Sequence, residues 1–169
     1  MATDRLRAGI DNDERADLVE EMGLIWAELG SPRMEGRVVG YLMFSNAPYV
    51  STAELAEALH ASAGSISTTT RRLVEVGFVK RVAIPGERSY YFKAEDDVWG
   101  AFLAGERKYL RRRAQYAENA IAALGRRDEV PRRRLENMRD YMTWLETSHH
   151  KLLDDWQAFK RQRDRTERQ

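Results

Sequence analysis

The chain has 169 residues, of which 43% are hydrophobic and 33% charged, and its formal net charge at pH 7 is +1. It contains no cysteine, which excludes disulfide bonds and thiolate metal sites. Its first residues lack the apolar run of a signal peptide, and no apolar stretch approaches the roughly 20 residues that span a bilayer. We therefore expect a soluble, cytoplasmic protein of one domain with helical extensions and no membrane partner.

The charges are unevenly distributed along the chain. Residues 1–30 hold eight acidic and three basic residues, whereas residues 71–93 hold six basic and two acidic residues. A nearly neutral chain with one basic segment is typical of a protein that meets a polyanion through a single face.

Two helices are predicted at the start of the chain, where we assign residues 11–46 to dimerisation and support. A second helix over residues 33–45 follows Pro32, and its Gly36 and Gly40 share one face, which predicts close approach of a neighbouring helix. The first helix, over residues 13–29, has apolar side chains at helical spacing: Leu18, Met22, Ile25, Trp26 and Leu29.

Residues 47–94 predict a winged helix-turn-helix domain. Residues 51–54 read Ser-Thr-Ala-Glu, a capping box that starts a short helix. A tight turn follows at residues 60–61. A second helix is capped by its first residue, spans residues 62–76 and stops at Gly77.

After that helix the apolar period becomes strand-like. Residues 78–84 and 89–93 predict two strands, and the turn at residues 85–88 joins them into a hairpin, the wing. The predicted fold is therefore mainly α, a winged helix-turn-helix with a two-stranded wing, framed by long dimerisation helices.

The helix over residues 62–76 has an apolar side with Ile66, Thr70 and Leu73. Its opposite side is small and hydroxylated near the start and basic near the end. That order suits a recognition helix, whose first turns enter the major groove and whose hydroxyls and guanidiniums bond to bases and phosphates. The alternative is a solvated face that lacks acids by chance. With residues of the capping box and wing included, the predicted DNA contacts are Ser51, Ser62, Gly64, Ser65, Ser67, Thr68, Thr69, Arg71, Arg72, Lys80, Arg81 and Arg88.

The hairpin carries several cations, with Arg88 at its tip. An arginine at the tip of a ribbon suits the minor groove, which has a negative potential and is too narrow for a helix. The alternative is an ordinary exposed hairpin in which Lys80 and Lys93 protect a sheet edge.

Residues 95–163 predict two long helices, over about 95–124 and 131–163. Apolar residues of the second helix alternate at spacings of three and four, as in the seam of a coiled coil. The partner of this seam is the same helix or the N-terminal helix of a second chain, or it is the chain's own 95–124 helix. Both contacts can hold at once. Two modules are needed to read two half-sites about 34 Å apart, so we expect a homodimer. The predicted dimer seam consists of Leu135, Met138, Met142, Leu145, His149, Leu152, Trp156 and Phe159.

Residues 35–124 resemble the MarR family of bacterial transcription regulators in the order of helices, hairpin and long following helix. Residues 64–68, Gly-Ser-Ile-Ser-Thr, and residues 71–81, Arg-Arg-Leu-Val-Glu-Val-Gly-Phe-Val-Lys-Arg, are similar to the branch related to the glycine-betaine repressors (GbsR-like). They are also similar to actinobacterial regulators of lipid and drug exporters. Gly86 stands where many members have an aspartate two residues before the wing arginine.

The resemblance implies a dimer that binds a pseudo-palindromic operator in double-stranded DNA. Such regulators are usually repressors, and a small apolar or phenolic ligand sometimes releases them. Aromatic residues cluster where the predicted helical frame meets the winged module, and an apolar effector pocket is a hypothesis for them, although core packing is the favoured interpretation. The predicted pocket residues are Trp26, Phe44, Trp99, Phe102, Tyr141 and Trp144.

Two other classes of function are a protein–protein adaptor and an enzyme. A helical protein–protein adaptor that uses the winged module to bind a protein is the alternative, and it does not require the hydroxyl and arginine face. An enzyme is not expected, because the sequence has no phosphate-binding loop, nucleophile elbow or cofactor motif. No cofactor or metal is expected either, since the chain has three histidines and no cysteine.

Overall fold

The computed structural model describes residues 12–125 and 128–167, so Asp11, the first residue of the predicted support region, lies outside the described part. The chain divides into two compact units, one ending at Val98 and the other beginning at Trp99. None of the described helices is both long and apolar enough to cross a membrane. The elements are α1 (Asn12–Glu28), α2 (Arg33–Phe44), β1 (Val50–Ser51), α3 (Thr52–Ala58), α4 (Ala63–Val76), β2 (Lys80–Val82), β3 (Tyr91–Lys93), α5 (Val98–Ala123) and α6 (Glu129–Thr166).

The first unit holds the predicted winged helix-turn-helix, and its mainly α fold with a small sheet is confirmed. Leu55, Leu59, Ile66 and Leu73 are almost fully buried, so α3 and α4 share one core. The segments predicted as a support region and a DNA-binding domain fold together in this unit, which ends at Val98.

The helices α1 and α2 pack at close range through glycines. A Cβ atom added at Gly36 would lie 2.8 Å from the Cβ of Trp26 and 2.9 Å from the Cα of Gly23. Any larger residue at Gly36 would therefore push the two helices apart. The close approach predicted from Gly36 and Gly40 is confirmed.

The face that α1 buries differs from the prediction. Val19, Gly23 and Trp26 are buried, whereas Ile25 and Leu29 are 44% and 78% exposed. The glycine contacts explain the difference, because α1 docks on the side where its backbone comes closest to α2. One apolar side of α1 is consequently left without a cover.

The sheet has three antiparallel strands in the order β1-β3-β2. Val50 pairs with Phe92 and Arg81 pairs with Phe92 from the other side. The strand β1 was not predicted because it is only two residues long and its second residue, Ser51, is already the first residue of the capping box.

The wing strands are shorter than predicted, with three residues each. The N–H groups of Phe78 and Val79 donate to the Leu73 carbonyl at 3.0 and 3.3 Å, so these residues close the end of α4 instead of extending β2. At the tip, the N–H of Glu87 donates to the Ile84 carbonyl at 3.1 Å across Pro85-Gly86. Gly86 has φ +85°, as the third position of a type II turn requires.

The second unit contains the antiparallel pair α5 and α6. Glu106 lies 3.6 Å from His149, and Arg111 lies 2.9 Å from Glu146, so residue numbers run in opposite directions along the two helices. His149 is buried, but the seam residues Leu152 and Phe159 are 56% and 57% exposed. Packing on the chain's own α5 therefore covers only part of the predicted seam.

Candidate nucleic-acid interface

The recognition helix predicted from the sequence is α4, and its ends form as the cap residues predict. The Ser62 hydroxyl accepts a hydrogen bond from the Ser65 N–H at 3.2 Å. At the other end Gly77 adopts φ +96°, a left-handed conformation that glycine allows. Both termini are thus fixed by local hydrogen bonds.

One side of α4 is anchored in the core. Ile66 and Leu73 are fully buried, and the buried Thr70 hydroxyl donates to the Ile66 carbonyl at 2.8 Å. These contacts fix the rotation of the helix about its own axis, so the opposite side is held toward solvent.

The solvent side of α4 contains most of the predicted contact residues. A Cβ atom at Gly64 would meet nothing closer than the Ser62 hydroxyl at 4.0 Å, so internal packing does not require a glycine there. The missing side chain instead leaves the first turn of α4 open to a molecule that approaches from outside. The exposed residues of this face are Ser62, Gly64, Ser65, Ser67, Thr68, Arg71 and Arg72.

Two of the predicted DNA contacts, Ser51 and Thr69, have buried side chains. The hydroxyl of Ser51 accepts from the Glu54 N–H at 3.1 Å, and the Glu54 carboxylate accepts from the Ser51 N–H at 2.7 Å. These hydrogen bonds lower the pKa of Glu54 and occupy Ser51 as a helix cap. Thr69 is buried because, at 100° per residue, it lies nearer to Leu73 than to Thr68 around the axis of α4.

Two of the predicted cations are paired with carboxylates of the same unit. The Nε atom of Arg72 lies 2.9 Å from Glu35 Oε1, and the ammonium of Lys80 lies 2.6 Å from Glu95 Oε1. The hydrogen bond from Lys80 lowers the pKa of Glu95, which keeps this carboxyl ionised. Part of the positive charge of Arg72 and Lys80 is therefore offset within the protein.

Glu35 is unusual because it is a buried carboxyl on α2. Burial raises its pKa, and the charge of Arg72 acts in the opposite direction. The ion pair links the outer side of α4 to α2, so Arg72 has a structural partner whether or not it also touches DNA.

The other three arginines of the face have no carboxylate partner within the described residues. Arg71 on α4 and Arg88 at the wing tip are exposed and make no hydrogen bond or ion pair with any described residue. Arg81 on β2 lies over the ring of Tyr90, with its guanidinium carbon 5.0 Å from the ring centroid. This contact holds the side chain without neutralising its charge.

The sequence analysis did not identify the residues that contact Arg72, Lys80 and Arg81. Glu35, Glu95 and Tyr90 lie 37, 15 and 9 residues along the chain from Arg72, Lys80 and Arg81, respectively. Only Tyr90 carried a local signal, because it lies in the predicted returning strand of the hairpin. The two carboxylates come into range through tertiary packing alone.

The six predicted effector residues are divided between the two units, with Trp26 and Phe44 in the first and the other four in the second. Trp26 fills the core of the first unit, edge-on to Phe78 with ring centroids 5.3 Å apart. Phe44 also belongs to the first unit, and it is partly buried. In the second unit, Tyr141 and Trp144 are 54% and 62% exposed.

The second unit has an apolar cavity of about 430 Å³ between the start of α5 and the later part of α6. Among the six predicted residues, Trp99 lines this cavity, whereas Phe102 does not. Three of the lining residues come from the predicted dimer seam, since the complete lining is Trp99, Gly100, Leu103, Leu152, Asp155, Trp156 and Phe159. Within residues 12–125 and 128–167, no three histidine or acidic side chains come together in a way that would hold a metal ion.

Comparisons with known proteins relate the chain to one family. A family model described as MmpR5-like MarR family transcriptional regulator matches residues 97–161. The HTH-type transcriptional regulator MmpR5 of Mycobacterium tuberculosis (strain ATCC 25618 / H37Rv) is 38% identical over 133 residues, which are 77% of this chain and 79% of that protein. A crystal structure of a transcriptional regulator superposes with a TM-score of 0.76 at 30% identity, and covers 86% of this chain and 99% of that chain.

The resemblance to MarR regulators that residues 64–81 indicate is thus confirmed by a relative of similar length and by a similar solved fold. This chain belongs to the MmpR5-like MarR family of transcriptional regulators.

Proposed function

We propose that the protein acts in the cytoplasm as a homodimer that binds a pseudo-palindromic operator and represses transcription. In this proposal α4 enters the major groove of each half-site, and Arg88 reaches the adjacent minor groove. The observation that carries it is the charge pattern: Arg71, Arg81 and Arg88 have no acidic partner among the described residues. Arg71 and Arg81 also line one cleft together with the exposed residue Ser67 of α4.

The charge pattern favours DNA over a protein partner. Unpaired arginines repel one another and are costly to keep close together unless an anion is to be bound. Phosphates of a duplex supply such an anion at regular spacing, and sequence is read by hydroxyl and guanidinium contacts to base edges. A protein–protein adaptor would not require this arrangement of unpaired arginines and exposed hydroxyls.

The dimer is proposed from apolar surface that a single chain leaves uncovered. Leu24, Ile25 and Leu29 are exposed on α1, and Leu152 and Phe159 are exposed on the seam of α6. Large exposed apolar side chains at helical spacing are typical of an interface with another helix. A second copy of the chain is the partner that the need for two half-sites requires.

We also propose that the apolar cavity at Trp99 and Trp156 receives the effector. Its lining is almost entirely hydrophobic, so a ligand that fills it would be apolar or aromatic. Such a ligand relieves repression only if it binds more tightly to the dimer form that does not fit the operator.

Mobility shifts test the DNA-binding part of the proposal. Purified protein is titrated onto the DNA upstream of its own coding sequence and onto an unrelated duplex of equal length, at two salt concentrations. We expect tighter binding to the upstream DNA at both concentrations and weaker binding to both duplexes at the higher one. Equal affinity for the two duplexes, or no binding at low salt, would contradict the proposal.

A further inference from the structure

A narrow cleft separates the recognition helix from the wing. Its volume is about 170 Å³, comparable with five or six water molecules in the liquid and large enough for one phosphate group. Ser67 and Arg71 line it from α4, Arg81 and Tyr90 line it from the wing, and Thr52 lines it from the start of α3. None of the described residues that line the cleft is acidic.

The donors of this cleft are available to a ligand. Arg71 makes no hydrogen bond or ion pair with a described residue, and neither does the hydroxyl of Ser67. The guanidinium of Arg81 is held 5.0 Å from the centroid of the Tyr90 ring, and this contact uses none of its five N–H donors. The cleft therefore combines two guanidiniums and a hydroxyl, and none of its described lining residues carries a negative charge that would pair with them.

The anchoring of Arg81 depends on Thr52, the first residue of α3. The N–H and the hydroxyl of Thr52 both donate to the carbonyl of Tyr90, at 3.1 and 3.3 Å. These bonds hold the backbone of Tyr90, and the ring of Tyr90 in turn contacts the guanidinium of Arg81. The position of Arg81 therefore depends on its own strand, on Tyr90 and on the start of α3. Arg71 is fixed through α4, because Thr70 and Leu73 beside it are buried.

We propose that this cleft binds one backbone phosphate of the DNA duplex, gripped by Arg71 from the recognition helix and by Arg81 from the wing. The inference rests on the proposed function and assigns a single phosphodiester to two arginines of different elements. Two guanidiniums on one cleft repel each other until an anion lies between them, and a phosphate offers oxygens to both.

A shared phosphate would set the depth to which α4 enters the groove. Phosphate contacts fix the register and orientation of a protein on the duplex, whereas base contacts specify the sequence. Because the wing and the recognition helix hold the same phosphate, neither element can shift along the backbone without the other. Tyr90 is then a positioning residue that acts through Arg81.

Neutral phosphate analogues provide the sharpest test. After the bound segment of the upstream DNA is located by footprinting, duplexes are made with one methylphosphonate per half-site, moved along each strand in turn. We expect Arg71→Ala and Arg81→Ala each to bind the unmodified duplex roughly tenfold more weakly than the native protein. At one methylphosphonate position, the two single variants and the double variant should bind the modified duplex with the same affinity as the native protein has for that duplex.

The outcomes separate this inference from the proposed function. If the native protein binds no DNA, the proposed function fails. If it binds, but the losses of the two variants vanish at different methylphosphonate positions or at none, the shared phosphate is overturned while DNA binding stands. Circular dichroism and thermal melts check folding, and Arg71→Gln with Arg81→Gln provides a second pair should an alanine variant melt early.

The variant Tyr90→Leu tests the positioning of Arg81. We expect a partial loss of affinity on the unmodified duplex, which disappears at the same methylphosphonate position and is absent in the Arg81→Ala background. A loss that persists in that background would show that Tyr90 acts independently of Arg81 and would contradict its role as a positioning residue.

Discussion

The guanidinium of Arg72 lies 2.9 Å from the carboxylate of Glu35 and ties the outer side of α4 to α2. Arg72→Ala would leave a buried carboxylate without its partner, and we expect a loss of about 1 kcal/mol in the free energy of unfolding at pH 8. The expected loss of stability is small because the Arg72 side chain is more than half exposed, so that water already screens the pair. Urea denaturation measures it.

The same pair predicts a pH dependence. Burial raises the pKa of Glu35 above its ordinary value of 4.5, so the folded protein holds this proton more tightly than the unfolded chain does. The contribution of Glu35 to stability therefore falls as pH rises from about 4.5 toward the raised value and stays low above it. Without Arg72 the pKa rises further, so Arg72→Ala should cost less at pH 5 than at pH 8. In the Glu35→Gln background, where no carboxyl remains to titrate, that difference should vanish.

The two glycines Gly36 and Gly64 form a matched pair for substitution by alanine. Gly36→Ala places a methyl group 2.8 Å from the Cβ of Trp26, and we expect a loss of roughly 1–3 kcal/mol in stability. Gly64→Ala meets open space and removes a glycine from a helix, so stability should rise by up to about 1 kcal/mol. Per folded molecule, only Gly64→Ala should weaken DNA binding, because its added methyl group lies on the exposed face of α4. Thermal melts and mobility shifts of both variants decide the matter.

Thr68 has an exposed hydroxyl on the solvent side of α4. If it touches a base edge, Thr68→Ala should weaken binding to the upstream DNA by about 1–3 kcal/mol and leave binding to an unrelated duplex unchanged. Fluorescence anisotropy with both duplexes measures the two affinities. An equal loss on the two would assign Thr68 to a phosphate instead.

Arg88 at the wing tip is expected to contribute through charge on every sequence. Arg88→Ala should weaken binding to specific and unrelated duplexes alike and reduce the slope of log affinity against log salt by about 1 for each half-site. Affinities at four salt concentrations give the slope. An unchanged slope would mean that Arg88 contacts no phosphate or groove.

Leu152 is a seam residue that a single chain leaves 56% exposed. Leu152→Glu should therefore cost the folded monomer little and should shift the protein from dimer to monomer by placing a charge in the interface. Gln157→Glu, an exposed position on the same helix, is the control and should remain dimeric. Light scattering after size-exclusion chromatography distinguishes the two states.

Local signals in the sequence predict most of the fold. The capping box at Ser51, the cap at Ser62 and the stop at Gly77 each act within a few residues, and the helices begin and end where these residues indicate. The periodicity of α1 gave the helix but not its buried face, because the glycine contacts with α2 decide that face.

The sequence predicts which residues form the candidate site, but not which of their charges are paired with carboxylates. The hydroxyls and arginines of residues 62–72 mark the exposed side of α4, whereas the pairing of Arg72 with Glu35 and of Lys80 with Glu95 depends on tertiary packing. The effector pocket was predicted from aromatic residues near the expected junction of the helical frame and the winged module, and of these Trp26 is buried in the core of the first unit. That the protein is not an enzyme agrees with its membership of a family of transcriptional regulators.

The most direct test of the central claim compares two double variants that remove equal charge. Arg71→Ala with Arg88→Ala removes two unpaired cations from the α4–wing face, and Arg112→Ala with Arg133→Ala removes two exposed cations from the long helices. We predict that the first variant loses binding to the upstream DNA by at least about a hundredfold at physiological salt while the second binds within a few-fold of the native protein. Equal losses in the two variants, or native affinity in the first, would contradict the assignment of this face to DNA.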